Sequence, residues 1–226
     1  MHQMNKKELY EQVTNYFLEH APNAETELKY KNPFQLLVAV ILSAQCTDKR
    51  VNQVTPSLFK AYPNSLVLSQ AQPEAVFELI RSISYPNNKA RHLVSMAKML
   101  QEKFKGRIPK TVEELVLLPG VGRKTANVMV SVVFDTPAMA VDTHVFRVSE
   151  RLGLTTGSKS PKQSERELTK YFAKEHLSRA HHWLILHGRY ICLARNPKCG
   201  ECELKMFCKY YQQKNKLKKN KTALKK

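Results

Sequence analysis

The amino-acid sequence predicts an all-α protein, on three observations. Apolar residues recur at the three-to-four-residue spacing of one helix face in segment after segment. Helix-start signals, an Asn, Ser, Thr or Asp cap or a proline in the first turn, stand before many of these segments. No two alternating runs are joined by a hairpin turn, so roughly ten helices and no sheet are expected.

In chain order, Leu9, Val13, Tyr16 and Phe17 mark the apolar face of a first helix. The run NPFQLLVAVILSAQ is apolar on nearly all sides and reads as a buried central helix. Its Val and Ile content would also suit a strand, but its length and lack of alternation favour the helix. Val51, Val54, Leu58 and Phe59 fit another helix, and PEAVFELIRSI is a short one that opens on a proline. NNKARHLVSMAKMLQEKF offers an asparagine cap and a face of Leu93, Val94, Ala97, Leu100 and Phe104. Thr111 and Glu114 make a capping-box pattern before LVLLPG, and KTANVMVSVVF follows the glycines. DTHVFRVSERLG has an aspartate cap and a glycine stop. SPKQSERELTKYF opens on Ser then Pro, and SRAHHWLILHGRY closes the series. No repeat of solenoid period is present.

Charge narrows the class of partner. The 226 residues carry a formal net charge of +18, and seven of those charges are the lysines of KNKLKKNKTALKK, which leaves +11 without that tail. The balance favours a polyanion, most often nucleic acid, although a solvated basic surface would look the same. The tail has no acid and few apolar groups, so disorder is expected over residues 212–226. The start, MHQMNKKELYEQ, lacks the apolar core of a signal peptide, and no run approaches the length of a membrane span. A cytoplasmic, nucleoid-associated monomer with no membrane contact is the expectation.

Four of the five cysteines, Cys192, Cys199, Cys202 and Cys208, follow the spacing C-x6-C-x2-C-x5-C. Thiols this dense in an intracellular-type chain argue for a metal site rather than disulfides. Zinc is the usual ligand of paired C-x2-C motifs. A single such pair with one cysteine on either side leans towards an iron–sulfur cube. Cys46, inside ILSAQCTD, reads as a core thiol.

The stretch LPGVG between two helices forms a second motif, because Gly120 and Gly122 let backbone amides approach an anion at a helix N-terminus. Alone it is weak, since most such turns are only turns. Lys124 follows directly, and Asp142 stands eighteen residues further on in AVDTHVFRV.

Taken together, LLVAVILSAQCTD, LPGVGRKTANV, AVDTHVFRV, HHWLILHGRYICLARNPKCGECELKMFC and the cysteine spacing resemble the endonuclease III family. These are the bifunctional DNA glycosylases of the helix–hairpin–helix superfamily, and the resemblance runs from about Lys7 to Tyr211. It implies two helical subdomains with a cleft between them. One is a six-helix barrel with the hairpin, over 28–135; the other is a cluster domain built from 1–27 and 136–211. It further implies one structural [4Fe–4S] cluster per chain, held by Cys192, Cys199, Cys202 and Cys208. The implied partner is double-stranded DNA containing damaged pyrimidines or abasic sites. The implied catalytic pair is Lys124 and Asp142.

That pair makes chemical sense. A neutral amine can displace a damaged base at C1′ and form a Schiff base, from which the 3′ phosphate leaves by β-elimination. The helix N-terminus, the neighbouring Arg123 and partial burial would each favour the neutral amine. A carboxylate at Asp142 can take the amine's proton and stabilise charge on the sugar. As simpler alternatives, Lys124 could merely bind phosphate and Asp142 merely cap its helix. The resemblance also assigns DNA contacts. Gln45 matches the glutamine that fills the gap left by an extruded base, Gly120, Gly122 and Arg123 sit at the phosphate, and Arg195 and Lys198 lie on a basic cluster loop. The family's glycine–aliphatic–tyrosine–asparagine turn reads ISYPNNKA here, which puts Tyr85 forward as the second stacking residue. Val116 stands where many members have a glutamate, so no acid role is carried over there. His144, His181 and His182 read as packing residues. The rival readings are a monofunctional mismatch glycosylase, which would lack Lys124, and a non-enzymatic DNA-binding module, which would need neither Lys124 nor Asp142.

Overall fold

In a computed structural model, residues 4–223 are described, with side chains to residue 217. Among them are twelve α-helices, two short 3₁₀ turns and no strand, as an all-α reading requires. The described residues divide into two compact units: Thr26–Thr136, and the residues up to Glu25 joined by those from Pro137 onwards.

The Thr26–Thr136 unit is built around α2 (Pro33–Ser43). Asn32 caps it, accepting from the Gln35 amide, and Pro33 fills the first turn. Every side chain from Gln35 to Leu42 is buried, so this segment could only be central. It packs on α3 (Asp48–Ala61), α6 (Pro86–Phe104) and α8 (Arg123–Phe134). The short α4 (Ser65–Ser69) and α5 (Pro73–Ile80) lie on α6, and α7 (Val112–Leu115) leads into the hairpin before α8. The helix α4 has no counterpart in the sequence reading; five residues are too few to show a period, and Asn64 is its main signal. The expected asparagine cap of α6 is also corrected. Tyr85 is the cap, in the left-handed region, and Pro86 opens the helix because its fixed φ suits the first turn.

The second unit joins α1 (Lys6–His20) to α9 (Thr143–Leu152), α10 (Pro161–Tyr171), α11 (Leu177–Tyr190) and α12 (Lys209–Ala223). Trp183 of α11 is its hub, 1% exposed, stacked on Phe17 at 5.6 Å and donating from Nε1 to Ala21 O at 2.8 Å. Tyr10 packs edge-on to Phe172 and donates its hydroxyl to Leu154 O at 2.9 Å. Those contacts tie the first helix to a partner more than 140 residues away and explain why α1 shares this unit. A Cβ on Gly188 would sit 2.9 Å from the His144 Cβ, so glycine is what allows α9 and α11 to approach.

The tail departs from the expected disorder. Its backbone continues as α12 from Lys209 to Ala223, and Leu224–Lys226 lie outside the described residues. Lys, Gln, Leu and Ala are good helix formers. The first turn is also anchored, since Tyr210 and Tyr211 pack on the core and Arg151 lies 4.7 Å over the Tyr210 ring. Lack of apolar surface forbids a folded core but not a helix that extends an anchored turn.

Candidate active site and metal centre

The hairpin positions Lys124. Leu118 and Val121 are buried, and the Val121 amide donates to Leu118 O at 3.0 Å, which closes the turn. Gly120 has φ +80, and a Cβ there would meet the His92 Cβ of α6 at 3.0 Å. Glycine is therefore required at 120 by both backbone and packing. Gly122 differs. Its φ of −89 is open to any residue and a Cβ would meet nothing within 4 Å. As cap of α8 it offers no side chain to the helix's first amides. At this position glycine leaves room rather than supplying a special conformation. Arg123 and Lys124 occupy the first turn of α8, both exposed, so the expected partial burial of Lys124 is absent.

In the second unit Asp142 is the cap of α9. Its Oδ1 accepts from the His144 and Val145 amides at 2.8 Å each, and the residue is half-buried. The cap fixes the carboxylate's orientation, so the capping role read from the sequence is compatible with a chemical one.

Gln45 and Tyr85 are exposed corners of the Thr26–Thr136 unit, and both adopt left-handed backbone, φ 55 and 57. For bulky side chains this conformation is strained, and such strain concentrates at functional sites. Between the corners lies Lys89, which the sequence reading missed. It is 6% exposed, and its Nζ donates to Leu42 O at 2.8 Å and Ala44 O at 2.6 Å. Burial pushes its ammonium down in pKa, with Cys46 opposing the shift. One signal was available: Lys89 falls four residues before Leu93, on the apolar face of α6.

The four motif cysteines line one pocket with His187, Ile191 and Tyr210 around about 330 Å³ of empty space, part of it open. None of them is in a disulfide. Burial pushes Cys202 up to about 11 and raises Cys208, so metal must displace protons to bind. Four cysteine sulfurs lining one pocket supply the four thiolate donors that an iron–sulfur cube needs. Two arginines of α9 pin this loop, and neither was singled out from sequence. Arg147 donates to Cys192 O and Gly188 O at 3.1 and 2.8 Å. Arg151 donates to Leu193 O and Ala194 O at 2.7 and 3.0 Å, and to Cys192 Sγ at 3.4 Å. Arg195 and Lys198 stand exposed on the loop so held. His181 and His182 are buried and bond to the Ala140 and Ser178 carbonyls, which is a packing role. No helix among the described residues is long and apolar enough to cross a membrane.

Residues 38–174 match the HhH-GPD superfamily of base excision DNA repair proteins, and residues 192–208 match the iron–sulfur binding domain of endonuclease III. The endonuclease III of Rickettsia felis is 46% identical over 90% of this chain and 95% of its own. That of Bacillus subtilis is 48% identical over 86% of this chain and 89% of its own. The chain belongs to the endonuclease III family. A solved structure of a trapped covalent intermediate between endonuclease III and DNA superposes with a TM-score of 0.88, at 43% identity, covering 94% of this chain and 99% of that one. As a member of this family the protein is a base-excision repair enzyme, a DNA glycosylase with abasic-site lyase activity and a [4Fe–4S] cluster.

Proposed function

We propose that Lys124 is the nucleophile and Asp142 its acid–base partner in removing oxidised or ring-damaged pyrimidines from duplex DNA in the cytoplasm, at the nucleoid. The observation that carries this reading is the exposed Lys124 in the first turn of α8, directly after a hairpin whose Gly122 leaves space at the helix start. That an endonuclease III has been captured covalently on DNA supports an amine nucleophile.

The damaged base leaves the stack before reaction. The neutral Nζ of Lys124 attacks C1′, and the C1′–N bond electrons leave with the base, which takes up a proton. Asp142 stabilises positive charge on the sugar and accepts the proton lost by the amine. The C1′–O4′ bond of the sugar then opens, O4′ takes up a proton, and the resulting iminium acidifies the C2′ hydrogens. Loss of one proton drives cleavage of the 3′ C–O bond, the phosphate leaves, and water then releases the enzyme. Gly120 and Gly122 present the hairpin to a phosphate of the damaged strand, beside Arg123. Gln45 and Tyr85 enter the space left in the duplex, and Arg195 and Lys198 contact its backbone. The cysteines at 192, 199, 202 and 208 hold the cluster, which supplies structural rigidity to the Arg195–Lys198 loop.

Borohydride reduction during turnover on lesion-containing duplex tests this. The wild-type enzyme should become covalently attached to DNA, and Lys124→Gln should keep fold and DNA binding but give neither adduct nor strand cleavage. A Lys124→Gln preparation that still cuts would refute the assignment.

A further inference from the structure

Two strained corners of the Thr26–Thr136 unit need a common reference if both are to enter one gap in DNA. Gln45 ends the α2 segment and Tyr85 begins α6; both are exposed and left-handed. Neither corner is glycine, so neither conformation is intrinsically preferred. Something must hold each in place. Lys89 reaches both. Its Nζ bonds the Leu42 and Ala44 carbonyls at 2.8 and 2.6 Å, and Ala44 directly precedes Gln45. Its amide donates to Tyr85 O at 3.1 Å. The bond to Tyr85 O is the first backbone bond of α6, so it is the Nζ contacts that tie the start of α6, and Tyr85 with it, to the chain entering Gln45. A lysine is chemically suited to this. Its compact ammonium carries three donors, and the carbonyl end of a helix is the end that stabilises a cation.

We propose that Lys89 is a positioning residue that fixes the Gln45 and Tyr85 corners relative to each other, so that both side chains fill the duplex as a damaged base leaves it. The inference rests on the reading of those two residues as DNA-inserting. It sets the step at which Lys89 acts: extrusion from paired DNA, not the chemistry at C1′. A misplacement on the order of 1 Å in such a constellation costs roughly 100-fold.

The test compares Lys89→Met, which keeps the buried length but removes the donors, with wild type on two substrates. On a duplex carrying a damaged pyrimidine, single-turnover base release should fall roughly 10- to 100-fold. Fluorescence of 2-aminopurine placed opposite the lesion should show slower unstacking. On a single-stranded oligonucleotide with a preformed abasic site, which needs no extrusion, strand cleavage and borohydride trapping should stay within about twofold. A role confined to stability would lower both activities by one factor, and that outcome overturns the proposal. Should Lys89→Met fold poorly, Lys89→Gln, which keeps one donor, should show a smaller loss on duplex alone; equal losses on both substrates would again overturn it. In a Gln45→Ala, Tyr85→Ala background, Lys89→Met should add no further defect on duplex, and an additive loss would show that Lys89 acts elsewhere. Failure of the wild-type enzyme to trap on the single strand would instead refute the Lys124 reading, which separates the two failures.

Discussion

Replacing Gly122 with alanine separates what the hairpin needs for folding from what it needs for DNA. The backbone at 122 is extended, with φ −89 and ψ 173, and the added Cβ meets nothing within 4 Å. Folding should therefore be unharmed, and loss of unfolded-state freedom could add roughly 0.4–1 kcal/mol of stability. A phosphate drawn against the first amides of α8 would meet that same methyl. Amide bonds to a charged group contribute roughly 1.5–3 kcal/mol each, so losing even one should weaken binding about tenfold or more. Gly120→Ala is the opposite case. It forces φ +80 on an alanine, at roughly 1–2 kcal/mol, and sets its Cβ 3.0 Å from His92. That variant should be less stable, and it should bind poorly only because the turn is displaced. Urea denaturation of both variants, paired with titration onto an abasic-site duplex at fixed salt, reads both quantities. A Gly122→Ala protein that binds as tightly as wild type would refute the phosphate role of this turn.

The remaining expectations concern Asp142, the cluster and the tail. Asp142→Asn keeps an acceptor for the His144 and Val145 amides, so its melting temperature should stay near wild type while base release slows roughly 100- to 10,000-fold; wild-type turnover would reduce Asp142 to a cap. Asp142→Ala should in addition lose about 1 kcal/mol in urea denaturation. Purified enzyme should carry about four irons per chain by colorimetric assay, and Cys202→Ser should lose iron and thermal stability; a single tightly bound zinc in anaerobically prepared protein would contradict the cluster. Removing residues 214–226 should flatten the salt dependence of binding by about 0.9 per lost phosphate contact, equally for damaged and intact duplex. Single-turnover cleavage at saturating enzyme should not change, and an unaltered salt slope would show that the tail does not touch DNA.

The helices were legible in the sequence where caps and periodicity agree. Asn32 with Pro33, Ser160 with Pro161, and Asp142 each sit at the predicted starts. Legibility failed where tertiary contacts decide. Tyr85 as a left-handed cap contradicts local preference, and no period reveals that Lys89 in the first turn after it reaches back to the Leu42 and Ala44 carbonyls. The helical tail was misread because its composition was weighed for a core and not for an anchored start at Tyr210 and Tyr211. Of the candidate site, spacing alone brought out the four cysteines, whereas Lys124 and Asp142 stood out through the family resemblance of the motifs that carry them. The arginines at 147 and 151, which hold the cluster loop through carbonyls, look like ordinary helix-surface charges until the loop is folded against them.

The central claim is that one amine, on Lys124, forms the bond to DNA. Borohydride-trapped enzyme on an abasic-site oligonucleotide, digested with protease and nuclease and read by mass spectrometry, locates that bond directly. The account predicts a single reduced sugar remnant on the peptide containing Lys124, and none on the same peptide from Lys124→Gln. A remnant on any other lysine, or on the N-terminal amine, would contradict it.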